Sequence, residues 1–302
     1  MRASRRQAEG LELGIPMTVH ATLPDVLTPG SVRPVALHPE TDTRYDLSLI
    51  AVCYRQPALL AAMLGSLARE RVTYEVIVVN ASPEAEIAIP KDLPYPVRLV
   101  SEDNRGYAHA VNKGLAAARG EFVAACNVDL EFGEGALSQA VQYIRRHPDV
   151  GVVAPELVFP DGARQYSARR FYTWRVAAWA RAPWRGRTAA PSFYREHLMM
   201  DEPALAPREV DWATGAMLVV RRSAMRRADQ FFDSRYWLYM EDVDLCVDMW
   251  KRGWKVVQLP HLKIVHRYSR ASKKTLSTAG LHHAASFLKF IVKHGGLPQR
   301  SL

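Results

Sequence analysis

The sequence has few cysteines, no signal-peptide pattern and no long hydrophobic run. Its three cysteines, Cys53, Cys126 and Cys246, lie far apart in apolar segments, which predicts reduced, buried thiols and favours the cytoplasm over an oxidising compartment. Residues 1–17 lack the apolar core that a signal peptide needs. Because no apolar stretch approaches the roughly 20 residues of a membrane span, the chain is predicted to be soluble in the cytoplasm or peripheral on the inner face of the cell membrane.

The sequence has fewer acidic residues than basic ones. The 302 residues include 40 lysines and arginines against 31 aspartates and glutamates, which gives a formal net charge of +9. Such an excess indicates an anionic partner: a nucleic acid, an anionic membrane surface or a phosphorylated substrate. The hydrophobic content of 48% is sufficient for a full core in one large domain with appendages.

The pattern along the chain divides it into three regions. Residues 1–45 contain five prolines and little periodicity, which predicts an irregular N-terminal arm. Residues 46–270 show the regular alternation of strands and helices and form the predicted main domain. Residues 271–302 form a predicted C-terminal helical extension, with a helix near 279–293 that ends at two glycines.

Buried strands alternate with amphipathic helices from residue 46 onward. This alternation predicts an α/β fold with a mostly parallel central sheet flanked by helices, and with ligands bound at the C-terminal ends of the strands. The last strand is expected to end at Pro260 because proline lacks the N–H that a ladder needs. The predicted strands include 47–52, 75–79, 97–100, 150–154, 210–221 and 254–259, and the predicted helices include 107–119 and 137–147.

One strand ends in two small polar residues. The apolar run that begins at Gly120 stops at Asn127 and Asp129, whose side chains point to the same side of an extended strand. One carboxylate and one amide oxygen, together with waters and a substrate diphosphate, are suitable ligands for a hard divalent cation. The alternative is that Asp129 merely caps the element that follows.

A second acidic group opens a later helix. Glu241, Asp242 and Asp244 fall within four residues, which is more negative charge than a helix dipole requires, although stabilisation of the dipole is the simplest explanation. On a helix Asp242 points along an apolar face, where burial beside other acids should raise its pKa toward that of a general base. His266 follows an apolar pair and, like most single histidines, could be purely structural; it becomes a candidate ligand if Asp129 binds a metal.

A glycine turn precedes the helix that begins at Tyr107. The segment Asp103-Asn104-Arg105-Gly106-Tyr107 is suited to an anion or a nucleotide sugar because helix N-termini present free N–H groups. It matches neither the GxGxxG pattern nor the P-loop pattern, so the spacing of its residues alone is weak evidence for a nucleotide site. Asn112, on the same helix, could simply face solvent.

Together these segments resemble the inverting glycosyltransferase family 2, which has the GT-A (nucleotide-diphospho-sugar transferase) fold, and most closely its rhamnosyltransferase-like branch. The resemblance spans residues 46–270, about three quarters of the chain. No single motif is specific, but their order and spacing are. The matching segments are 51–55, 76–82, Asn104 to Ala108, 112–114, 127–129, 215–217, 241–245 and His266.

The resemblance implies roles for four residues of the reaction centre. Asp129, together with Asn127, matches the short motif that holds a divalent metal, Mg²⁺ or Mn²⁺, against the donor diphosphate. His266 matches a histidine that can bind the same metal. Asp242 matches the base that deprotonates the acceptor hydroxyl, which then attacks the sugar carbon from the opposite face, so that the anomeric configuration inverts.

The resemblance also implies positions that contact the donor nucleotide. Tyr54 and Asn80 fall where the family receives the nucleobase and ribose, and Gly106 and Asn112 fall where the donor packs. The family usually has an aspartate directly before the position of Asn80. This chain has Val79 there, which leaves the choice between a dTDP and a UDP donor open.

The predicted function is therefore sugar transfer. The best match is rhamnose from dTDP-rhamnose, delivered to a hydroxyl of a cell-surface polysaccharide or lipid-linked acceptor. Within the same fold the alternative is a UDP-hexose or UDP-N-acetylhexosamine donor.

Residues 164–187 combine seven arginines and six aromatics with no acid. This composition is typical of a surface that meets anionic lipid headgroups, and it predicts peripheral docking on a membrane or contact with the acceptor. Single-stranded nucleic acid could also stack on such a segment, but the acidic group around Asp242 would repel a phosphate backbone, so no nucleic-acid partner is expected. A partly buried surface helix is the simplest alternative.

Overall fold

The computed structural model describes residues 45–67, 70–182, 188–202, 205–267 and 280–298, and the backbone of 35–36 and 278–279. The strands are β1 (Val35–Ala36), β2 (Tyr45–Cys53), β3 (Tyr74–Asn80), β4 (Val97–Ser101), β5 (Gly120–Asn127), β6 (Leu130–Phe132), β7 (Val150–Val158), β8 (Ala168–Arg169), β9 (Arg208–Glu209), β10 (Trp212–Ala213), β11 (Met217–Arg221) and β12 (Lys255–His266). The helices are α1 (Pro57–Ser66), α2 (Tyr107–Leu115), α3 (Ala136–Arg146), α4 (Trp174–Ala180), α5 (Ser192–His197), α6 (Glu241–Lys251) and α7 (Thr278–His294).

Ten of the strands in this described part form one mixed sheet in the order β1-β4-β3-β2-β5-β11-β7-β12-β6, with β9 also paired to β12. Strands β4, β3, β2 and β5 are parallel, as the alternation predicts. Strand β11 runs antiparallel between β5 and β7. The C-terminal ends of β2, β3, β5, β7 and β12 therefore lie at one edge of the sheet, together with the start of β11.

The sheet is covered on both faces, which confirms the α/β fold class. Side chains of β2 alternate between two hydrophobic clusters: Leu49 packs with α1 and α3, whereas Ile50 packs with α2 and α6. Both side chains are fully buried. All three cysteines are free, buried thiols, as expected from their apolar surroundings.

The predicted end of the last strand at Pro260 is wrong. Strand β12 runs on to His266, because its register against β7 shifts between Leu259 and Lys263. The intervening residues form an irregularity in which the missing N–H of proline costs no ladder bond to β7. This continuation brings His266 to the same edge of the sheet as the end of β5.

The terminal regions are described only in part. Of the predicted N-terminal arm, Val35–Ala36 pairs with β4, and residues 1–34 and 37–44 lie outside the described residues, as do 268–277. Helix α7 forms where the sequence predicts it and docks through buried Phe290 and through Ser286, whose Oγ donates to the Leu238 carbonyl at 2.8 Å. The division at residues 45 and 270 remains a prediction. In the described chain no helix has both the length and the apolar character needed to span a bilayer.

Candidate active site

Asp129 and His266 meet at the edge of the sheet. Strand β5 ends at Asn127, and Asp129 lies in the tight turn that leads into β6, which pairs with the end of β12. The Arg267 N–H donates to the Asp129 carbonyl at 2.8 Å. As a result His266 Nε2 lies 3.3 Å from Asp129 Oδ1, and both side chains are about 95% buried. Asp129 is followed by a strand, so it does not cap a helix.

Gln165 fixes the tautomer of His266. Its Nε2 donates to the carbonyls of His266 at 2.8 Å and Val158 at 3.2 Å, and its Oε1 therefore faces His266 Nδ1, at 2.8 Å. Because an amide oxygen only accepts, Nδ1 carries a hydrogen. The other ring nitrogen, Nε2, faces the Asp129 carboxylate, and a cation bound between the two groups would require the lone pair of Nε2.

Asn127 supplies a further oxygen at this position. Its Oδ1 is buried and has no hydrogen-bond partner among the described residues, while its backbone N–H donates to the Ala216 carbonyl at 2.9 Å. Within the same part of the chain, no three His, Cys, Asp or Glu side chains are grouped to hold a metal. An imidazole, a carboxylate and an amide oxygen nevertheless match the ligand types that divalent ions accept when a diphosphate completes the shell.

Asp242 is a buried carboxylate in the first turn of α6. Its Oδ2 accepts from the Gly215 N–H at 2.9 Å and its Oδ1 from the Val243 N–H at 2.8 Å. Burial raises the pKa of Asp242, and the two N–H groups and the charge of Arg169 oppose that rise. A Cβ added at Gly215 would lie 3.3 Å from the Asp242 Cβ, so glycine allows this close approach without displacing the carboxylate.

Tyr107 connects the two acidic groups. Its hydroxyl donates to the Gly215 carbonyl at 3.2 Å. Burial raises the pKa of Tyr107 well above its ordinary value, and the charges of Glu241, Asp242 and Asp129 raise it further. All three carboxylates therefore lie within electrostatic reach of one phenol, at the edge where β5 and β11 meet.

The three acids in the first turn of α6 have different surroundings. Asp244 is tied to the C-terminal helix: Lys293 Nζ lies 2.7 Å from its Oδ2, and His294 Nε2 lies 2.8 Å from its Oδ1. Glu241 is also buried, and its Oε2 has no hydrogen-bond partner in the described part of the protein. Burial and the adjacent Asp242 raise the pKa of Glu241 well above its ordinary value.

The candidate nucleotide positions Tyr54 and Asn80 lie together at the ends of β2 and β3. Both are buried. The Asn80 amide shapes the loop that follows it, since its Nδ2 donates to the Ala85 carbonyl at 3.0 Å and its Oδ1 accepts from the Ser82 N–H at 3.0 Å. A role for either residue in nucleotide binding stays a prediction.

Gly106 and Asn112 hold α2 against the loop that precedes α6. Gly106 has a φ of +95°, and a Cβ at this position would lie 2.5 Å from the Trp237 carbonyl oxygen. Asn112 does not face solvent: its Nδ2 donates to the Phe232 carbonyl at 2.7 Å and its Oδ1 accepts from the Phe231 N–H at 2.8 Å. These structural contacts do not test whether Gly106 and Asn112 also contact the donor, which stays a prediction.

The described part of the basic aromatic segment is largely packed. Arg164 pairs with Glu156 at 2.8 Å, buried Arg169 lies over the Trp212 ring at 5.0 Å, and Arg181 lies over Phe287 at 4.6 Å. These contacts match the alternative of a partly buried surface element. Trp174, at the start of α4, remains 62% exposed, and residues 183–187 lie outside the described part.

Three contributors to the site were not identified from the sequence. Gln165 and Arg169 lie in a segment whose composition indicated only a surface, and Tyr107 was noted only as part of the glycine turn and the helix that follows it, with no role of its own. Their partners lie far away in the sequence, as with the 101 residues between Gln165 and His266, so no local pattern marks them.

A cavity of about 320 Å³ opens beside Asp129. One wall is the uncharged helix α1 and the other is the turn and strand that follow β5. It is lined by Leu59, Ala62, Ser66, Val128, Asp129, Leu130, Glu131 and Arg267.

A mixed sheet with an acidic turn at its strand ends is the architecture of the nucleotide-sugar transferases of the GT-A fold. Two solved structures share this fold. The mannosyltransferase PcManGT from Pyrobaculum calidifontis, in complex with GDP-Man and Mn²⁺, superposes with a TM-score of 0.55 over 90% of this chain and 69% of its own, at 18% identity. GalNAc-T7 with UDP, GalNAc and Mn²⁺ gives a TM-score of 0.55 over 83% of this chain and 48% of its own, at 12% identity.

The sequence comparisons identify the family. The profile described as glycosyl transferase family 2 matches residues 48–215. A Mycobacterium tuberculosis protein named N-acetylglucosaminyl-diphospho-decaprenol L-rhamnosyltransferase is 31% identical over 276 residues, which cover 83% of this chain and 85% of that protein. The chain belongs to glycosyl transferase family 2, and it is a glycosyltransferase.

The close approach of Gly106 to Trp237 predicts a stability effect. Gly106→Ala forces a Cβ against a backbone carbonyl at positive φ, and we expect it to lower the free energy of unfolding by about 2 kcal/mol or more. Urea denaturation measures this change. Gly65→Ala is the matched control, because nothing lies within 4 Å of the added Cβ. It should stabilise α1 by about 0.5–1 kcal/mol, and equal effects at the two glycines would contradict the proposed clash.

The burial of Glu241 predicts a pH-dependent stability. Folding raises its pKa, so the unfolded chain releases this proton at lower pH than the folded chain does. The folded state therefore loses stability as the pH rises from about 4 toward the folded pKa, and each pH step of one in that interval costs about 1.4 kcal/mol. Glu241→Gln removes this loss. We expect the Tm of the variant to exceed that of the wild type at pH 8 and the difference to shrink at pH 4.5.

Glu86→Gln provides the control for the Glu241 comparison. Glu86 is exposed, and a solvated carboxylate has no burial cost, so this variant should differ from the wild type by the same small amount at both pH values. A Tm difference for Glu241→Gln that does not change with pH would mean that burial of the charge is not the cause.

Proposed function

We propose that this glycosyltransferase moves rhamnose from dTDP-rhamnose to a hydroxyl of a lipid-linked acceptor, with inversion at the sugar carbon and with a bound divalent metal. The relative from M. tuberculosis, named for transfer of L-rhamnose to an N-acetylglucosaminyl-diphospho-decaprenol, supports this choice of donor and acceptor. Its similarity covers most of both chains. A UDP-hexose donor is the alternative within the same fold.

The observation that carries the mechanism is the setting of Asp242. Two backbone N–H groups hold its carboxylate in one orientation, and burial raises its pKa, as suits a group that accepts a proton near neutral pH. Asp242 would take the proton of the acceptor hydroxyl as that oxygen bonds to the sugar carbon and the bond to the nucleoside diphosphate breaks. Attack from the face opposite the leaving group inverts the configuration.

Asn127, Asp129 and His266 would hold the metal. The two solved structures described above contain Mn²⁺, which supports the proposal of a divalent metal here. When bound, a divalent ion offsets the charge that builds on the leaving diphosphate. Gln165 keeps His266 in the tautomer that offers Nε2. Tyr54, Asn80, Gly106 and Asn112 are proposed to line the donor nucleotide, within a catalytic region at residues 46–270.

Replacing the proposed base tests the mechanism. Asp242→Asn keeps the size of the side chain but removes the proton acceptor, so kcat/KM for transfer should fall by about 10²–10⁴ or more. Donor binding should persist, and the thermal shift induced by dTDP-rhamnose in the presence of Mn²⁺ measures it. The same assay with UDP-glucose and UDP-N-acetylglucosamine identifies the donor.

Asp248→Asn is the matched control for the base. Asp248 lies on the same helix and pairs with Arg252 at 2.9 Å near the surface, so we expect near wild-type turnover. Near-normal transfer by Asp242→Asn would remove Asp242 from the role of base, whereas loss of donor binding in that variant would assign it to binding.

The Gln165 contact predicts an effect on metal affinity. Gln165→Leu removes the acceptor that holds His266 Nδ1, and we expect the affinity for Mn²⁺ in the presence of dTDP to fall about 10- to 100-fold. Calorimetric titration, or the electron paramagnetic resonance signal of free Mn²⁺, measures this without any turnover. His266→Gln and Asp129→Asn should weaken binding at least as much.

Gln139→Leu makes the same chemical change on the exposed surface of α3 and should leave Mn²⁺ affinity unchanged. If Gln165→Leu binds Mn²⁺ as tightly as the wild type, Gln165 does not position a metal ligand. If the wild type binds no Mn²⁺ with either dTDP or UDP, the metal site itself is wrong.

A further inference from the structure

Helix α7 presents an apolar face to solvent. Leu281, Leu288 and Val292 are 69%, 65% and 74% exposed, and at 3.6 residues per turn they fall within about 40° of one another around the helix axis. Ala284 and Ala285 extend the same exposed face. The opposite face of α7 is the one that docks on the protein through Phe290 and Ser286. The helix is therefore apolar on two sides, although only one side is covered in the described structure.

The surroundings of this face carry positive charge. Helix α7 contains no acidic residue, and Lys289 lies exposed at the edge of the apolar stripe. Helix α4 packs beside α7, because Arg181 lies over the Phe287 ring at 4.6 Å. Exposed Arg175 and Trp174 belong to α4, which likewise contains no acid. Apolar side chains bordered by basic and aromatic groups complement the acyl-chain boundary and headgroups of an anionic bilayer.

Helix α7 also contacts the segment that precedes the proposed base. Helix α7 rests on the loop that leads into α6: the His282 ring stacks on Trp237 with centroids 5.5 Å apart, and Lys289 donates to the Arg235 carbonyl at 2.8 Å. Asp242 follows that loop directly. A bilayer in contact with α7 would therefore lie next to the segment that positions the proposed base, which is where a lipid-linked acceptor must be presented.

We propose that the Leu281–Leu288–Val292 face of α7 is the surface by which the protein docks on an anionic membrane. The choice of a bilayer over a second copy of the chain rests on the proposed lipid-linked acceptor and on the basic border, because a self-complementary interface would place the basic groups of one copy close to those of the other. Trp174 and Arg175 of α4 then contribute a border to this surface, and α7 makes the apolar contact.

Vesicle binding by the full chain tests the proposal. Wild-type protein should cosediment with vesicles of phosphatidylcholine containing about one third phosphatidylglycerol, and much less with phosphatidylcholine alone or at high salt. The triple variant Leu281→Gln, Leu288→Gln, Val292→Gln should bind the anionic vesicles at least about tenfold more weakly. Leu205→Gln is the matched control, because Leu205 is 89% exposed and lies outside α7, and it should bind like the wild type.

The experiments distinguish a failure of the docking proposal from a failure of the proposed sugar transfer. A wild-type protein that ignores anionic vesicles, or a triple variant that binds them as well as the wild type, overturns the docking proposal. Light scattering tests self-association. If the wild type is a dimer, the triple variant is a monomer and neither binds vesicles, the face is a self-association surface, and the docking proposal is overturned. Transfer to a short-chain, water-soluble acceptor should be equal in the wild type and the triple variant, so a failure of the sugar-transfer proposal appears in that assay and not in sedimentation.

Discussion

The site depends on the antiparallel insertion of β11 between β5 and β7. The register pairs Met217 with Cys126, so the residues just before β11 lie beside the end of β5, where Asn127 donates to the Ala216 carbonyl. Gly215 then turns its N–H toward Asp242 and its carbonyl toward Tyr107. One strand register thus fixes the distance between the acidic turn after β5 and the first turn of α6.

Helix α6 concentrates charge that the rest of the protein has to compensate. Asp244 is held by Lys293 and His294 of α7, so the docked C-terminal helix supplies partners for one acid of this turn. Glu241 and Asp242 do not contact these two side chains, and burial raises the pKa of both. Buried carboxylates of this kind lower stability at neutral pH, a cost that is common where a proton acceptor is prepared in advance.

The sequence predicted the parts of the fold that rest on local pattern. Short apolar runs predicted β2, β3 and β4, and the polar residues at the end of another apolar run pointed to Asn127 and Asp129, because both signals are contained in a few consecutive residues. The continuation of β12 through Pro260 could not be predicted, since the irregularity that tolerates proline depends on pairing with β7. Gln165 was missed for the same reason: its role exists only after β12 has brought His266 next to it. The antiparallel β11 is likewise a property of the whole sheet.

Charge counted along the sequence is not the charge that the surface presents. The 164–187 segment holds seven arginines, yet Arg164 is paired with Glu156, Arg169 is buried against Trp212 and Arg181 covers Phe287. These three guanidinium groups make internal contacts, and the charge of Arg169 acts on the buried carboxylate of Asp242. The described part of this segment is therefore largely packed, and the proposed docking surface lies on α7 instead. The composition of α7 does not reveal that surface, because its exposed and buried apolar residues are interleaved along the sequence.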